Sequence, residues 1–194
     1  MKHPIAHVIG FDDAPFQPEH HGDVPIIGAI FSHMRLEGVV TGKVRRDGIN
    51  ATARIEEIIS RSRFAPQLQL ILLQGITVAG FNVIDIHRLQ QNLEIPAMAI
   101  CRKLPDMDAI QMALLEKVPS GRRKWQLIKR AGPMEPVANV YIQRAGISYA
   151  AAEAFIKQHA VHSDIPEPLR TAHLIASGLA GSNSQQRVKC TKRL

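Results

Sequence analysis

Cysteine is scarce in this chain of 194 residues: Cys101 and Cys190 stand far apart, at no metal-type spacing, which excludes a disulfide framework and a zinc site. Long apolar runs are missing too. None approaches the roughly 20 residues that span a bilayer, and the N-terminus lacks the apolar core of a signal peptide. A protein of the reducing cytoplasm with no membrane partner is expected. No Gly-x-Ser-x-Gly elbow is present, which removes the main support for a small-molecule α/β hydrolase. There is no internal repeat, and no composition of the disordered class outside the ends.

What remains is a chain with 45% hydrophobic residues, enough for one folded domain over residues 1–181. Past Gly181 the composition turns to Ser, Asn, Gln, Lys and Arg, so 182–194 is expected to be a basic, flexible tail. The net charge of +7 and pI near 9.8 favour a polyanionic partner through counterion release, and nucleic acid is the leading candidate. The charge gathers in Arg122-Arg123-Lys124-Trp125 with Lys129-Arg130, and again between Arg187 and Arg193.

The periodicity predicts an apolar first strand over His7–Phe11, then an antiparallel hairpin of Val24–Phe31 and Leu36–Val44. A helix capped by Asn50 follows to about Ser62, then a buried strand Leu68–Leu73, a loop with a short helix over 80–93, and a buried strand Ile95–Cys101. Asp106 caps the next helix, a basic helix ends near Gly132, Val137–Gln143 reads as a strand, and Ser148 caps Tyr149–His159. Pro166 and Pro168 open the last helix. This order, βββαβαβα, predicts an α/β fold: a ribonuclease H-like mixed sheet with an initial antiparallel hairpin and helices on both faces.

Two clusters carry chemistry. The first strand ends in Asp12 and Asp13, on rigid backbone at the mouth of a sheet, where a hard cation such as Mg2+ is held by oxygen ligands. Gln74, at the end of the fourth strand, would face the same cleft, and Asp47, after the third strand in Arg45-Arg46-Asp47-Gly48, can join it. The second cluster is Arg170 and His173, which share a face of the last helix; one could hold a phosphate while the other moves a proton.

Three separated motifs, Gly10-Phe11-Asp12-Asp13-Ala14-Pro15-Phe16, Gly75-Ile76-Thr77-Val78-Ala79-Gly80-Phe81-Asn82 and Pro166-Glu167-Pro168-Leu169-Arg170-Thr171-Ala172-His173, resemble the archaeal family called endonuclease dU, itself similar to endonuclease V. The resemblance spans roughly Ile5 to Gly178. It implies Mg2+-dependent cleavage (Mn2+ being the alternative ion) of a DNA phosphodiester near a deaminated base, with deoxyuridine suggested by the family name. On it, Asp12 matches the catalytic aspartate of the first strand, and His173 matches the late histidine. Gln74 stands where the related enzyme has an aspartate before glycine, leaving Asp47, Asp13 or Asp85 to complete the metal ligands; Arg102 or Lys103 lies near its phosphate-side lysine. No counterpart of the strand-separating Pro-Tyr-Ile-Pro turn is present.

The expected site is therefore Asp12, Asp47 and His173 as catalytic groups, Asp12, Asp47, Gln74 and Asp13 around the metal, and Arg102, Lys103, Arg170, Gly75 and Asn82 on the substrate, the loop 75–82 forming a base pocket. A catalytically impaired nucleic-acid-binding protein is the alternative, motivated by Gln74 and the basic helix. The oligomeric state stays open.

Overall fold

The computed structural model describes residues 5–179. One sheet runs through it in the order β3-β2-β1-β4-β7-β9-β8. β1 (His7–Asp13) is central, antiparallel to β2 (Asp23–Ser32) and parallel to β4 (Leu70–Gln74). β3 (Arg35–Arg45) pairs antiparallel with β2 and forms one edge. On the other side β7 (Ala97–Cys101) is parallel to β4, while β9 (Val140–Ala145) runs antiparallel to β7 and carries the short edge strand β8 (Glu135–Val137). A separate ribbon, β5 (Thr77–Val78) with β6 (Asn82–Val83), rises from the end of β4.

The helices cover both faces because side chains alternate along each strand. Ile9, Phe11, Ile71, Leu73, Ala97 and Ala99 pack under α1 (Ala51–Ser60) and α2 (Ile86–Leu93). Val8, Leu70, Leu72, Met98 and Ile100 pack under α5 (Tyr149–His159) and α6 (Glu167–Leu179). β1, β4 and β7 are thus apolar on both sides, which is why they read in the sequence as unbroken hydrophobic runs. At the carboxyl ends of these strands α3 (Met107–Lys117) and α4 (Gly121–Arg130) form a small core of their own with β6, around Val83, Leu114 and Ile128.

The expected mixed sheet, hairpin and two helical layers are present. Some details differ. A loop over 75–82 and a helical link over 80–93 are expected, but two residues of left-handed backbone, Ala79 (φ 48°) and Gly80 (φ 82°), turn the chain back into the β5–β6 ribbon, and α2 starts only at Ile86. The strand expected at Val137–Gln143 is a hairpin, turning at Ala138 (φ 50°). Asp106 and Ser148 cap their helices as expected, accepting from the Ala109 and Ala151 amides. Asn50 makes no cap bond; its Oδ1 accepts instead from the Arg45 amide and from Asn82 Nδ2. Cys190 and the tail 182–194 lie outside the described residues. Among the described residues no helix is long and apolar enough to cross a membrane.

Candidate active site at the carboxyl ends of the central strands

Alternation on β1 sends the two adjacent carboxylates to opposite faces. Val8 belongs to the α5–α6 side and Ile9 and Phe11 to the α1–α2 side, so Asp12 faces α6 and Asp13 faces away from it. Asp12 is 5% exposed; its Oδ2 lies 2.7 Å from Nδ1 of His173, and its Oδ1 accepts from the Asp13 amide at 2.9 Å. A histidine nitrogen beside a carboxylate oxygen takes the proton, which leaves Nε2 as the acceptor, and Ser177 Oγ stands 3.5 Å from it.

What brings His173 there is the close approach of α6 to β1. At Gly10 a β-carbon would stand 2.6 Å from the Pro168 carbonyl carbon and 2.7 Å from the Leu169 nitrogen, so the helix rests on bare strand. From that fulcrum, His173 is a little over one turn further along, above Asp12. The start of α6 is fixed by buried Glu167, which receives Nε of Arg170 at 2.9 and 3.0 Å and the His162 ring at 3.1 Å. Arg170 is thereby turned back on the first turn of its own helix.

The next strand adds an amide. Phe11 pairs with Leu73, so Gln74 occupies the rung beside Asp12, and because Leu70 and Leu72 face α5 and α6, alternation gives Gln74 the same side. Both its Oε1 and Nε2 are buried with no hydrogen-bond partner among the described residues. Orphaned buried amides are uncommon and costly, by about 1–3 kcal/mol. One strand further, Arg102 follows β7 directly, in the alternation of Met98 and Ile100, and its Nε is buried and likewise without a partner. Lys103 next to it is exposed. Asp12 and Gln74 therefore share a rung, and Arg102, two residues past Ile100, the partner of Gln74, extends the row outward across a third strand end.

The remaining expected residues do other work. Asp13 Oδ2 accepts from the Ala79 amide at 3.0 Å. Asp47, itself in left-handed backbone (φ 49°), accepts from the Phe81 amide on Oδ1 at 2.8 Å, donates its own amide to the Ala79 carbonyl at 2.9 Å, and lies 3.1 Å from Arg46 Nε on Oδ2. These two acids clasp the β5–β6 turn from either side. Asn82 is wholly buried and spent inside the fold, accepting from the Ala51 amide and donating to the Arg45 carbonyl and Asn50. Asp85 caps α2 and pairs with Arg130. Gly75, at φ 80°, turns the chain out of β4 and donates to the Ile100 carbonyl.

One residue of this cluster was not anticipated. Lys124 is 1% exposed, and its Nζ donates to the Asp47 carbonyl at 2.5 Å, tying α4 to the clasp. Burial pushes its ammonium below the usual lysine range, and the Asp47 carboxylate pulls the other way. The signal was legible: Gly121, Lys124 and Ile128 share the inward stripe of α4, so the lysine sat where an apolar residue belongs.

Mg2+ is commonly held by one or two carboxylates, with water and substrate phosphate completing its octahedron. Asp12 and the unpartnered amide oxygen of Gln74 fit that sparse scheme. Among the described residues no group of three or more His, Cys, Asp and Glu could hold a metal ion.

The family model described as endonuclease dU matches residues 4–180. A UPF0215 protein of Deinococcus radiodurans is 50% identical over 95% of this chain and 94% of its own length, and one of Methanothermobacter thermautotrophicus is 41% identical over 92% and 89%. Among solved structures, a protein from Archaeoglobus fulgidus superposes with a TM-score of 0.83 at 29% identity, covering 90% of this chain and 98% of that one. Human endonuclease V does so with a TM-score of 0.60 at 17% identity, covering 91% and 84%, a likeness of fold.

Proposed function

We propose that this chain, which belongs to the endonuclease dU family, hydrolyses a DNA phosphodiester near a deaminated base, deoxyuridine first among them, with Mg2+ as cofactor. The observation that carries the reading is the Asp12–His173 contact beside a buried glutamine amide with no partner. A fold built for stability alone has no use for that amide. The family description supports an endonuclease, and the shared fold supports the same chemistry. Ciona intestinalis endonuclease V, of TM-score 0.53 and 16% identity, is seen with DNA containing inosine, which supports a deaminated base as the lesion.

Asp12 and Gln74 would hold the ion, which when bound polarises the scissile phosphate and lowers the pKa of water. His173 would hold the Asp12 carboxylate by its Nδ1 proton, and its Nε2, once protonated, would pass a proton to the leaving oxygen. Arg102, one strand over, supplies positive charge for the non-bridging oxygens, with Lys103 and Arg170 at the margins. Asp13 and Asp47 shape the β5–β6 turn that borders the row, and this turn is the wall against which an extruded base would rest.

Labelled single- and double-stranded oligonucleotides containing deoxyuridine, deoxyinosine or neither, incubated with Mg2+ or chelator, test the proposal. Nicking is expected beside deoxyuridine with Mg2+, abolished by chelator, and reduced about 100-fold or more in Asp12→Asn. Lesion-independent nicking would remove the substrate assignment. The scarcity of acidic ligands favours one other reading, a nucleic-acid-binding protein without turnover, and binding with no cut under any divalent ion would establish it.

A further inference from the structure

The outer edge of β3 carries no paired strand among the described residues, although the strand is 11 residues long and rich in β-branched residues. Long open edges are usually blunted or covered. This one keeps Leu36 and Val39 exposed, at 43% and 44%. Gly38 and Gly42 are explained from within the chain, since Phe64 and Ile58 of the α1 layer lie where their β-carbons would stand. The exposed Val39 and the order of charges are not.

Read from either end, the segment Glu37-Gly38-Val39-Val40-Thr41-Gly42-Lys43 nearly mirrors itself. We infer that the partner of this edge is a second copy of the chain, with β3 pairing antiparallel to β3 across a two-fold axis at Val40. In that register each Glu37 meets Lys43 of the other copy, Val39 lies beside Thr41, Gly38 beside Gly42, and Val40 beside itself. Facing residues of an antiparallel pair share a face, so Val39 on each copy is covered by the threonine opposite. The two ion pairs are equivalent, as an isologous contact requires. Arg35 would meet Arg45 at the ends, where Glu37 already holds Arg35 at 2.6 Å. The β2–β3 bulge falls at Glu37, which Ile30↔Gly38 and Phe31↔Leu36 leave between them, so the regular run from Gly38 to Arg45 carries the rest of the mirrored segment.

The two seven-stranded sheets would then join into one, and a dimer closes this edge without leaving another like it, because the opposite edge is the three-residue β8. Asp12 and His173 lie two strands away, so the pairing is independent of the nuclease reading.

Sedimentation of the full chain across a concentration series measures the association. The wild type is expected to be a dimer; Lys43→Glu, which sets like charges opposite each other twice, should weaken association about tenfold or more, and Glu37→Lys with Lys43→Glu should restore it to within about threefold. Thermal melts of each variant check that the monomer fold is kept. A Val40→Cys variant reports the register: directly opposed residues bring their α-carbons about 4.5–5.5 Å apart, within disulfide reach, so oxidation should give a covalent dimer that the wild type does not. A wild type that stays monomeric at about 100 μM, a dimer indifferent to Lys43→Glu, or no cross-link at residue 40 overturns the inference.

Discussion

The carbonyl carbon of Pro168 occupies, to within 2.6 Å, the position a β-carbon on Gly10 would need. Gly10 is two residues before Asp12 and Pro168 five before His173, so this contact sets the height at which the imidazole meets the carboxylate. In Gly10→Ala the added methyl meets the Pro168–Leu169 backbone and α6 has to lift. Overpacking of this kind costs about 1–3 kcal/mol, and a displacement near 1 Å at a reacting group costs about 100-fold in rate. The variant is expected to melt modestly lower while losing nicking activity out of proportion, measured well below its melting temperature. Wild-type rates in a folded Gly10→Ala protein would separate the α6 docking from catalysis.

The fold was legible where the chain is apolar on both sides. β1, β4 and β7 stand out as dense hydrophobic runs, and the β2–β3 hairpin follows from its β-branched strands. Asp12 and His173, distant in sequence, could be paired only through the family resemblance, because nothing local says that Gly10 lets a helix lie against the strand. Asp13 and Asp47 illustrate the converse. Both carry the residue type of a metal ligand, yet each is engaged with the β5–β6 turn, whose left-handed Ala79 has no strong sequence signature. Asn50 looked like a cap because caps are judged from the residue and its successor, whereas its carboxamide is drawn off by Asn82, far along the chain.

Gln74 gives the sharpest division between stability and activity. Its side-chain amide is buried and unpartnered among the described residues, so Gln74→Leu removes a desolvation cost of about 1–3 kcal/mol while keeping the volume close. The expected result is a protein that melts higher and nicks poorly. Gln74→Glu restores a charged oxygen ligand and should lower the Mg2+ concentration needed for half-maximal activity. A Gln74→Leu enzyme with unaltered Mg2+ dependence would take the amide out of the ion site.

Asp47 is separated from Asp12 in role by how it answers to amide and to methyl. Asp47→Asn keeps an acceptor for the Phe81 amide at Oδ1 and is expected to retain most of the nicking activity. Asp47→Ala strands that amide, frees the β5–β6 turn, and should lower stability by about 1–3 kcal/mol. Loss of activity in Asp47→Asn at full stability would instead make the charge itself part of the ion site.

His159 makes the protein sensitive to acid at a place remote from the site. The ring is 2% exposed, stacks on Phe155 at 4.0 Å between centroids, and its Nδ1 lies 3.0 Å from the Phe155 carbonyl. Burial holds its pKa below the ordinary 6.5; the Phe155 hydrogen bond partly opposes this, and His33 adds to it. The unfolded chain therefore takes up a proton first as pH falls, and wherever the unfolded state binds more protons, stability rises with pH. This contribution is intact above about pH 6.5, diminishes as pH drops through that value, and levels off once the folded-state ring is protonated as well. Urea midpoints measured from pH 7.5 down to pH 5 should fall more steeply for the wild type than for His159→Phe, whose ring keeps the stack and cannot take the proton. Parallel slopes for the two proteins would assign the acid sensitivity to other groups.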